Sequence, residues 1–184
     1  IEEESRSLEH MEKMINPRSI AVIGASQNEK KNGGRLFRYL VENHYDGDLY
    51  PVNPGAEKIK GYKAYPSLLE IPGEVDLACI IVAAKMVPNV MRECVTKGVK
   101  AAIIYSSGFA EIGEEGEKLQ EEIIDIAKQG DIRVLGPNSI GIASPSKNIY
   151  TAFGAALESK VKIPGNIAFV SQSGAMGSAL LSRA

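Results

Sequence analysis

Short apolar runs that end on glycine or another small residue, each followed by a segment with helical spacing, recur along this chain. That alternation restricts its fold more than any other feature. Ser19-Ile20-Ala21-Val22-Ile23 is a β-branched stretch closed by Gly24, as in a strand buried on both faces. Residues 33–44 then place Leu36, Phe37, Leu40 and Val41 on one helical face. Residues 48–53 form a second strand despite Pro51, and residues 76–83 a third. Val87, Val90, Met91, Cys94 and Val95 mark the next helix, stopped by Gly98, and residues 100–105 a fourth strand. Residues 114–129 are predicted helical, with acidic side chains at the positive end of the dipole and Gly130 as the stop. Residues 132–135 supply a fifth strand. Strands alternating with helices imply a parallel sheet covered on both faces, a doubly wound α/β domain over residues 15–145.

The flanks read differently. Residues 1–14 are rich in Glu and are expected to form an exposed extension with a short helix over 8–14 and a solvated His10. The first residue is Ile rather than Met, so further residues are expected in front of it. Residues 146–164 read as an irregular linker. Residues 165–171 read as a new strand leading into an Ala- and Leu-rich helix, so that residues 165–184 look like the start of a second, truncated α/β unit.

Several functions are excluded by simple counts. Lys plus Arg number 21 against 23 Asp plus Glu, a net charge of −2, so the broad basic surface of a nucleic-acid binder is missing. No apolar run reaches the ~18 residues of a membrane span. Cys79 and Cys94 sit in apolar surroundings, suit a reducing cytoplasm, and read as small core residues. With only His10 and His44 as further nitrogen ligands, no metal site is expected. No Gly-x4-Gly-Lys-Ser/Thr loop and no nucleophile–base constellation is present.

In an open parallel sheet, ligands bind beyond the carboxyl ends of the strands. Those ends are Gly24-Ala25-Ser26-Gln27-Asn28, Asn53-Pro54-Gly55, Val82-Ala83-Ala84, Ser106-Ser107-Gly108 and Gly136-Pro137-Asn138-Ser139. Glycine after a strand needs no ligand to explain it in any one loop. Small residues in all of them let an anionic cofactor approach backbone N–H groups at helix starts. Ser26 takes the place of the second glycine of a dinucleotide fingerprint, and Asn53 stands where an NAD site has an acidic ribose ligand. Lys58 and Lys60 follow Asn53, and Lys30, Lys31 and Arg35 lie across the first loop. Each lysine taken singly is more often a solvated surface group. Together they suit a cofactor with an extra phosphate near its ribose, which both coenzyme A and NADP have and NAD lacks.

The segment from Asn16 to Ser26 (NPRSIAVIGAS) resembles the opening of the Rossmann-like CoA-binding domain of NDP-forming acyl-CoA synthetases. These include ADP-forming acetate–CoA ligase and, more distantly, the α subunit of succinyl-CoA synthetase. Tyr50-Pro51-Val52-Asn53-Pro54, Val75-Asp76-Leu77-Ala78, Ser106-Ser107-Gly108-Phe109-Ala110-Glu111 and Leu135-Gly136-Pro137-Asn138-Ser139-Ile140-Gly141 follow in register. Ser171-Gln172-Ser173-Gly174 is similar to the start of the family's flavodoxin-like ligase domain.

The resemblance implies a reaction in which acyl-CoA and phosphate give acyl phosphate and CoA. The phosphoryl group then passes to a histidine and on to ADP. It implies that Gly24, Ala25, Ser26, Gln27 and Asn28 hold the CoA phosphates and that Asn53, Pro54 and Lys58 face the adenosine. Val82, Ala83, Ala84, Ser106, Ser107 and Gly108 would line the pantetheine path, with Asn138 near the thiol and Ser173 and Gly174 cradling the phosphohistidine's phosphate. The family often has lysine directly after Asn-Pro, where Gly55 and Ala56 stand here, which leaves Lys58 as the first candidate for that role. The phosphorylated histidine is expected beyond Ala184, so no catalytic residue is assigned and the chain alone is expected to be inactive. ADP or ATP with magnesium, a short-chain acyl substrate, a nucleotide-grasp domain or β subunit, and an oligomeric, cytoplasmic setting are implied only through the parent protein. Two other readings stay open: a non-catalytic CoA-sensing module, alone or fused to an acetyltransferase, and an NADP-binding domain.

Overall fold

The structure is a computed structural model and describes residues 2–158 and 164–181. A helix, α1 (Glu2–Ile15), leads into strand β1 (Ser19–Ile23), helix α2 (Asn32–Glu42) and strand β2 (Asp48–Val52). A small antiparallel hairpin of β3 (Lys58–Ile59) and β4 (Tyr62–Lys63) precedes β5 (Leu77–Ile80), α3 (Val87–Lys97), β6 (Ala101–Ile104), α4 (Glu114–Gln129) and β7 (Arg133–Leu135). Strands β2-β1-β5-β6-β7 form one sheet in that order, all neighbours parallel. The doubly wound fold expected from the alternating runs is what the chain forms.

Period-two alternation within each strand explains why both faces are buried. Ile20, Val22, Leu77, Cys79, Ala101 and Ile103 point into one layer with Leu36, Phe37 and Leu40 of α2. Ala21, Ile23, Ala78, Ile80, Ala102 and Ile104 point into the other with Met91 and Cys94 of α3 and Ile123 and Ile126 of α4. Each large side chain fully buried here contributes about 1.5–3 kcal/mol. Val95, expected inward on α3, is instead partly exposed. Helix α3 ends on Gly98, whose φ of 79° closes a left-handed cap with its N–H directed at Cys94 and Val95 carbonyls.

The N-terminal segment corrects one expectation. It is a helix of 14 residues rather than an exposed extension, with Met14 in the α2 layer and His10 only 5% exposed. His10 Nε2 lies 3.5 Å from Asp131 just ahead of β7. The helix face carrying His10 and Met14 packs over β6 and β7, while the outward side exposes Leu8, Met11 and Ile15 among its glutamates. Asp76 ties the helix down, accepting from Lys13 Nζ at 2.6 Å and from the Arg18 N–H at 2.8 Å. Burial pulls the Asp76 carboxyl up, but these hydrogen bonds outweigh it and hold it below the usual carboxylate range. The tie therefore contributes stability above the pKa of an unfolded carboxylate and loses it as pH falls through the lower folded one. Asp76→Asn is expected to cost about 1–3 kcal/mol at pH 7, with the deficit shrinking in strongly acidic buffer. Urea titrations at neutral pH and near pH 3 check this; a deficit independent of pH would show that the carboxylate charge is not the tie.

A second correction concerns the stretch expected to be an irregular linker. Strands β8 (Gly141–Ser144) and β9 (Ile149–Ala152) form an antiparallel hairpin whose Tyr150 and Ala152 pack with Tyr39 of α2 and with Leu157. Tyr105 Oη donates to the Thr151 carbonyl, and the Tyr105 and Phe153 rings meet edge to face at 5.3 Å. Glu158 then accepts from Tyr39 Oη and Arg38 Nη2. This segment is strapped across α2.

The third correction is residues 165–171, which are not a strand. A parallel strand needs neighbours to pair its backbone, and this one has none among the described residues. Ile167 and Val170 are more than 90% exposed. The predicted helix follows as α5 (Gly174–Leu181). Among the described residues, no helix is long and apolar enough to cross a membrane.

Candidate functional site

Strand order reverses between β1 and β5, so the chain leaving β1 turns to one face of the sheet and the chain leaving β5 to the other. The loops that follow β1 and β5 flank the crevice this opens. Gly24 has φ 90°, and a Cβ there would lie 2.1 Å from the Ile81 carbonyl oxygen. A Cβ on Gly33, in the first turn of α2, would lie 1.9 Å from the Gly24 carbonyl oxygen, and one on Gly34 2.2 Å from that of Asn28. Helix α2 thus starts pressed against the loop that follows β1. Its N-cap, Lys31, offers no side-chain hydrogen bond, and its first turn holds no acidic residue. The helix start is left as a cluster of N–H donors at the positive end of the dipole, suited to an anion.

The side chains of the first loop mostly hold the loop itself. Ser26 Oγ accepts from the Asn28 N–H, and Asn28 Oδ1 accepts from the Lys30 N–H. Ala25 is buried, and its carbonyl accepts from Asn53 Nδ2 at 2.7 Å, while Asn53 Oδ1 accepts from the Gly55 N–H. Asn53 therefore welds the loops after β1 and β2 together. Gln27 reaches the small hairpin, donating to the Lys58 carbonyl and accepting from the Lys60 N–H. Pro54 and Lys58 are exposed beside it. Lys60 pairs with Glu29 at 2.6 Å, and that hydrogen bond holds the Glu29 carboxyl below its usual range. Lys30, Lys31 and Lys58 present exposed cations around the mouth.

Deeper along the crevice, a cleft of about 300 Å³ runs between Asn32 at the start of α2 and the loops 81–84 and 105–107. Val82, Ala83 and Ala84 form one wall; Ser106 and Ser107 form the other. Ser106 Oγ donates to the Val82 carbonyl, and the Ser106 carbonyl accepts from the Asn138 N–H. Gly108 meets the opposite wall, since a Cβ there would lie 3.2 Å from Ala84 Cβ. Asn138, at φ 56°, is exposed beside Ser106, outside the residues that line the cleft. Ile140 lies against α5, where a Cβ on Gly174 would come within 2.9 Å of Ile140 Cγ2. The turn at Ser173 and Gly174 is thus brought near the Asn138 loop. Ser173 Oγ accepts from the Met176 N–H as the cap of α5.

His44 is exposed after α2, ahead of β2, and His10 lies against Asp131 ahead of β7. Both are at the opposite end of the sheet from the cleft. The sequence reading missed Asn32, Gly33, Gly34 and Tyr105 as parts of the site. A signal for two of them was available: a Gly-Gly pair at a helix start is costly for helix formation and implies close backbone approach.

A parallel sheet with a reversed strand order, a glycine-tight first turn and an uncapped helix start defines a domain that holds a phosphate-bearing nucleotide cofactor. Residues 18–145 match the CoA binding domain family, and the chain belongs to it. It is 45% identical over 175 residues to the α subunit of ADP-forming acetate–CoA ligase I of Pyrococcus furiosus, covering 93% of this chain and 37% of that one. It is 46% identical over 158 residues to ADP-forming acetate–CoA ligase II of Archaeoglobus fulgidus, covering 86% of this chain and 23% of that one. The solved acetyl-coenzyme A synthetase 1 of Ca. Korarchaeum cryptofilum, in complex with phosphate and ADP, superposes with a TM-score of 0.87 at 39% identity, over 94% of this chain and 36% of its own. The chain thus spans roughly a quarter to a third of the length of these relatives.

Proposed function

We propose that this chain is the coenzyme A-holding part of an ADP-forming acid–CoA ligase, acting in the cytoplasm within a larger assembly. The observation that carries the reading is the start of α2, uncapped and pressed by Gly33 against Gly24. In this reading the N–H groups of that start and of loop 24–28 hold the pyrophosphate. Asn53 and Pro54 border the adenosine, with Lys58 reaching the 3′-phosphate. The pantetheine arm lies between Val82–Ala84 and Ser106–Gly108 and delivers its thiol toward Asn138. The turn at Ser173 and Gly174 meets the phosphate of a phosphohistidine supplied by another part of the parent protein, which also supplies ADP or ATP, magnesium and the acyl-binding pocket. Coenzyme A itself brings the thiol that becomes the acyl thioester; this chain holds it, orients it and screens its path with small side chains.

Calorimetric titration of the chain with coenzyme A, dephospho-CoA, NAD and NADP tests the assignment. Coenzyme A is expected to bind most tightly, with dephospho-CoA weaker by about tenfold, or 1.4 kcal/mol, for loss of a charge-assisted contact to lysine. Tighter binding of NAD or NADP overturns the assignment. Equal affinity for dephospho-CoA removes Lys58 from the 3′-phosphate while leaving the rest in place.

A further inference from the structure

The acidic residue that closes the Ser106–Glu111 segment has no part in the site described above, yet its carboxylate faces the turn that forms one wall of the cleft. Glu111 Oε1 accepts from the Gly108 N–H at 2.6 Å, and Oε2 accepts from the Phe109 N–H at 3.1 Å. The Gly108 hydrogen bond comes first among the causes that hold the Glu111 carboxyl below its usual range, so both oxygens remain acceptors at neutral pH. Gly108 has φ 103°, a conformation with little intrinsic preference for staying put. On one side of it, Ser106 is fixed by its bonds to Val82 and Asn138. On the other, Phe109 is wholly buried, and its carbonyl lies where a Cβ on Gly116 of α4 would be 1.9 Å away. Between these anchors, the Glu111 carboxylate is what orients the Gly108 peptide. That peptide faces the opposite wall so closely that a Cβ on Gly108 would lie 3.2 Å from Ala84 Cβ, so its orientation bears on how far Ser107 stands from that wall.

We infer that Glu111 is a positioning residue for the arm of the bound cofactor: it fixes the Ser107–Gly108 turn and thereby the width of the passage against Val82–Ala84. The inference rests on the coenzyme A reading of the site. It assigns Glu111 no contact with the cofactor and no effect on the distant phosphate loop at Gly24–Asn28.

The two halves of coenzyme A separate this role from a general structural one. Titrations of the chain compare coenzyme A with adenosine 3′,5′-bisphosphate, which lacks the pantetheine arm. Glu111→Ala is expected to weaken coenzyme A binding about tenfold and to leave the bisphosphate within twofold of the original chain. Glu111→Gln keeps one side-chain acceptor for the two N–H groups and is expected to fall between. Thermal midpoints of both variants should stay near that of the original chain, since the side chain is exposed. Unchanged coenzyme A affinity in Glu111→Ala overturns the inference, as does an equal loss for both ligands or a loss of folding shared by both variants. Failure of the original chain to bind coenzyme A would instead overturn the reading of the site itself.

Discussion

Gly33→Ala is expected to destabilise the chain by about 3 kcal/mol or more and to remove cofactor binding with it. The added methyl would sit 1.9 Å from the Gly24 carbonyl oxygen and 2.8 Å from its carbon. These are backbone atoms that directly follow the β1 ladder and are held by the bond from the Gly24 N–H to the Val52 carbonyl, so no side-chain rotation relieves the clash. Relief requires α2 to lift off the sheet, which exposes Leu36, Phe37 and Leu40, all fully buried. Overpacking a well-packed site commonly costs 1–3 kcal/mol, and loss of the helix contact adds to that. Gly55→Ala is the matched control, because its Cβ would meet only the Asn53 side chain at 3.4 Å. Urea unfolding of the two variants side by side decides it. Equal midpoints would show that α2 adjusts freely and that the tight approach is not required.

Ser26→Leu is expected to separate binding from folding. Ser26 is half-buried, and among the described residues its hydroxyl accepts from the Asn28 N–H, so its loss should cost about 1 kcal/mol of stability. The leucine side chain would fill the space over the start of α2 where a pyrophosphate would approach. A loss of about 100-fold in coenzyme A affinity, or 2.7 kcal/mol, is expected from titration, with the circular dichroism spectrum unchanged. A folded Ser26→Leu chain with full affinity would place the phosphates elsewhere along the crevice.

The main sheet was legible because its strands carry their own signal. Ile20–Ile23 and Ala101–Ile104 are apolar on both faces, the pattern of a strand between two helix layers. The loops that line the cleft were legible for a related reason, since topology alone places strand ends at the crevice. What stayed hidden depends on partners distant in sequence. The burial of His10 follows from Asp131 and from the edge of β7, more than a hundred residues away. Asn53 and Gln27 were read as groups facing a cofactor, yet their amides are largely spent joining loops to one another. Nothing in an isolated asparagine or glutamine distinguishes the two uses.

The small hairpins escaped notice for want of length. Strands of two residues at Lys58–Ile59 and Tyr62–Lys63 are too short for periodicity, and the β8–β9 pair is interrupted by Pro145 and Asn148, which mark its turn. Residues 165–171 show the opposite error. Their composition is that of a strand, but composition does not supply the neighbours a strand must pair with.

The two cysteines fall one to each side of the sheet, Cys79 in the layer under α2 and Cys94 in the layer under α3 and α4. Burial pushes both thiols up to about 12, so neither exists as the reactive anion at neutral pH, and no reagent reaches either while its layer is closed. Each thiol is therefore a clock for one half of the molecule. Disulfide-exchange labelling, resolved by peptide, gives two opening rates from one sample: equal rates mean that the layers part in a single event, and unequal rates show which side of the sheet breathes first.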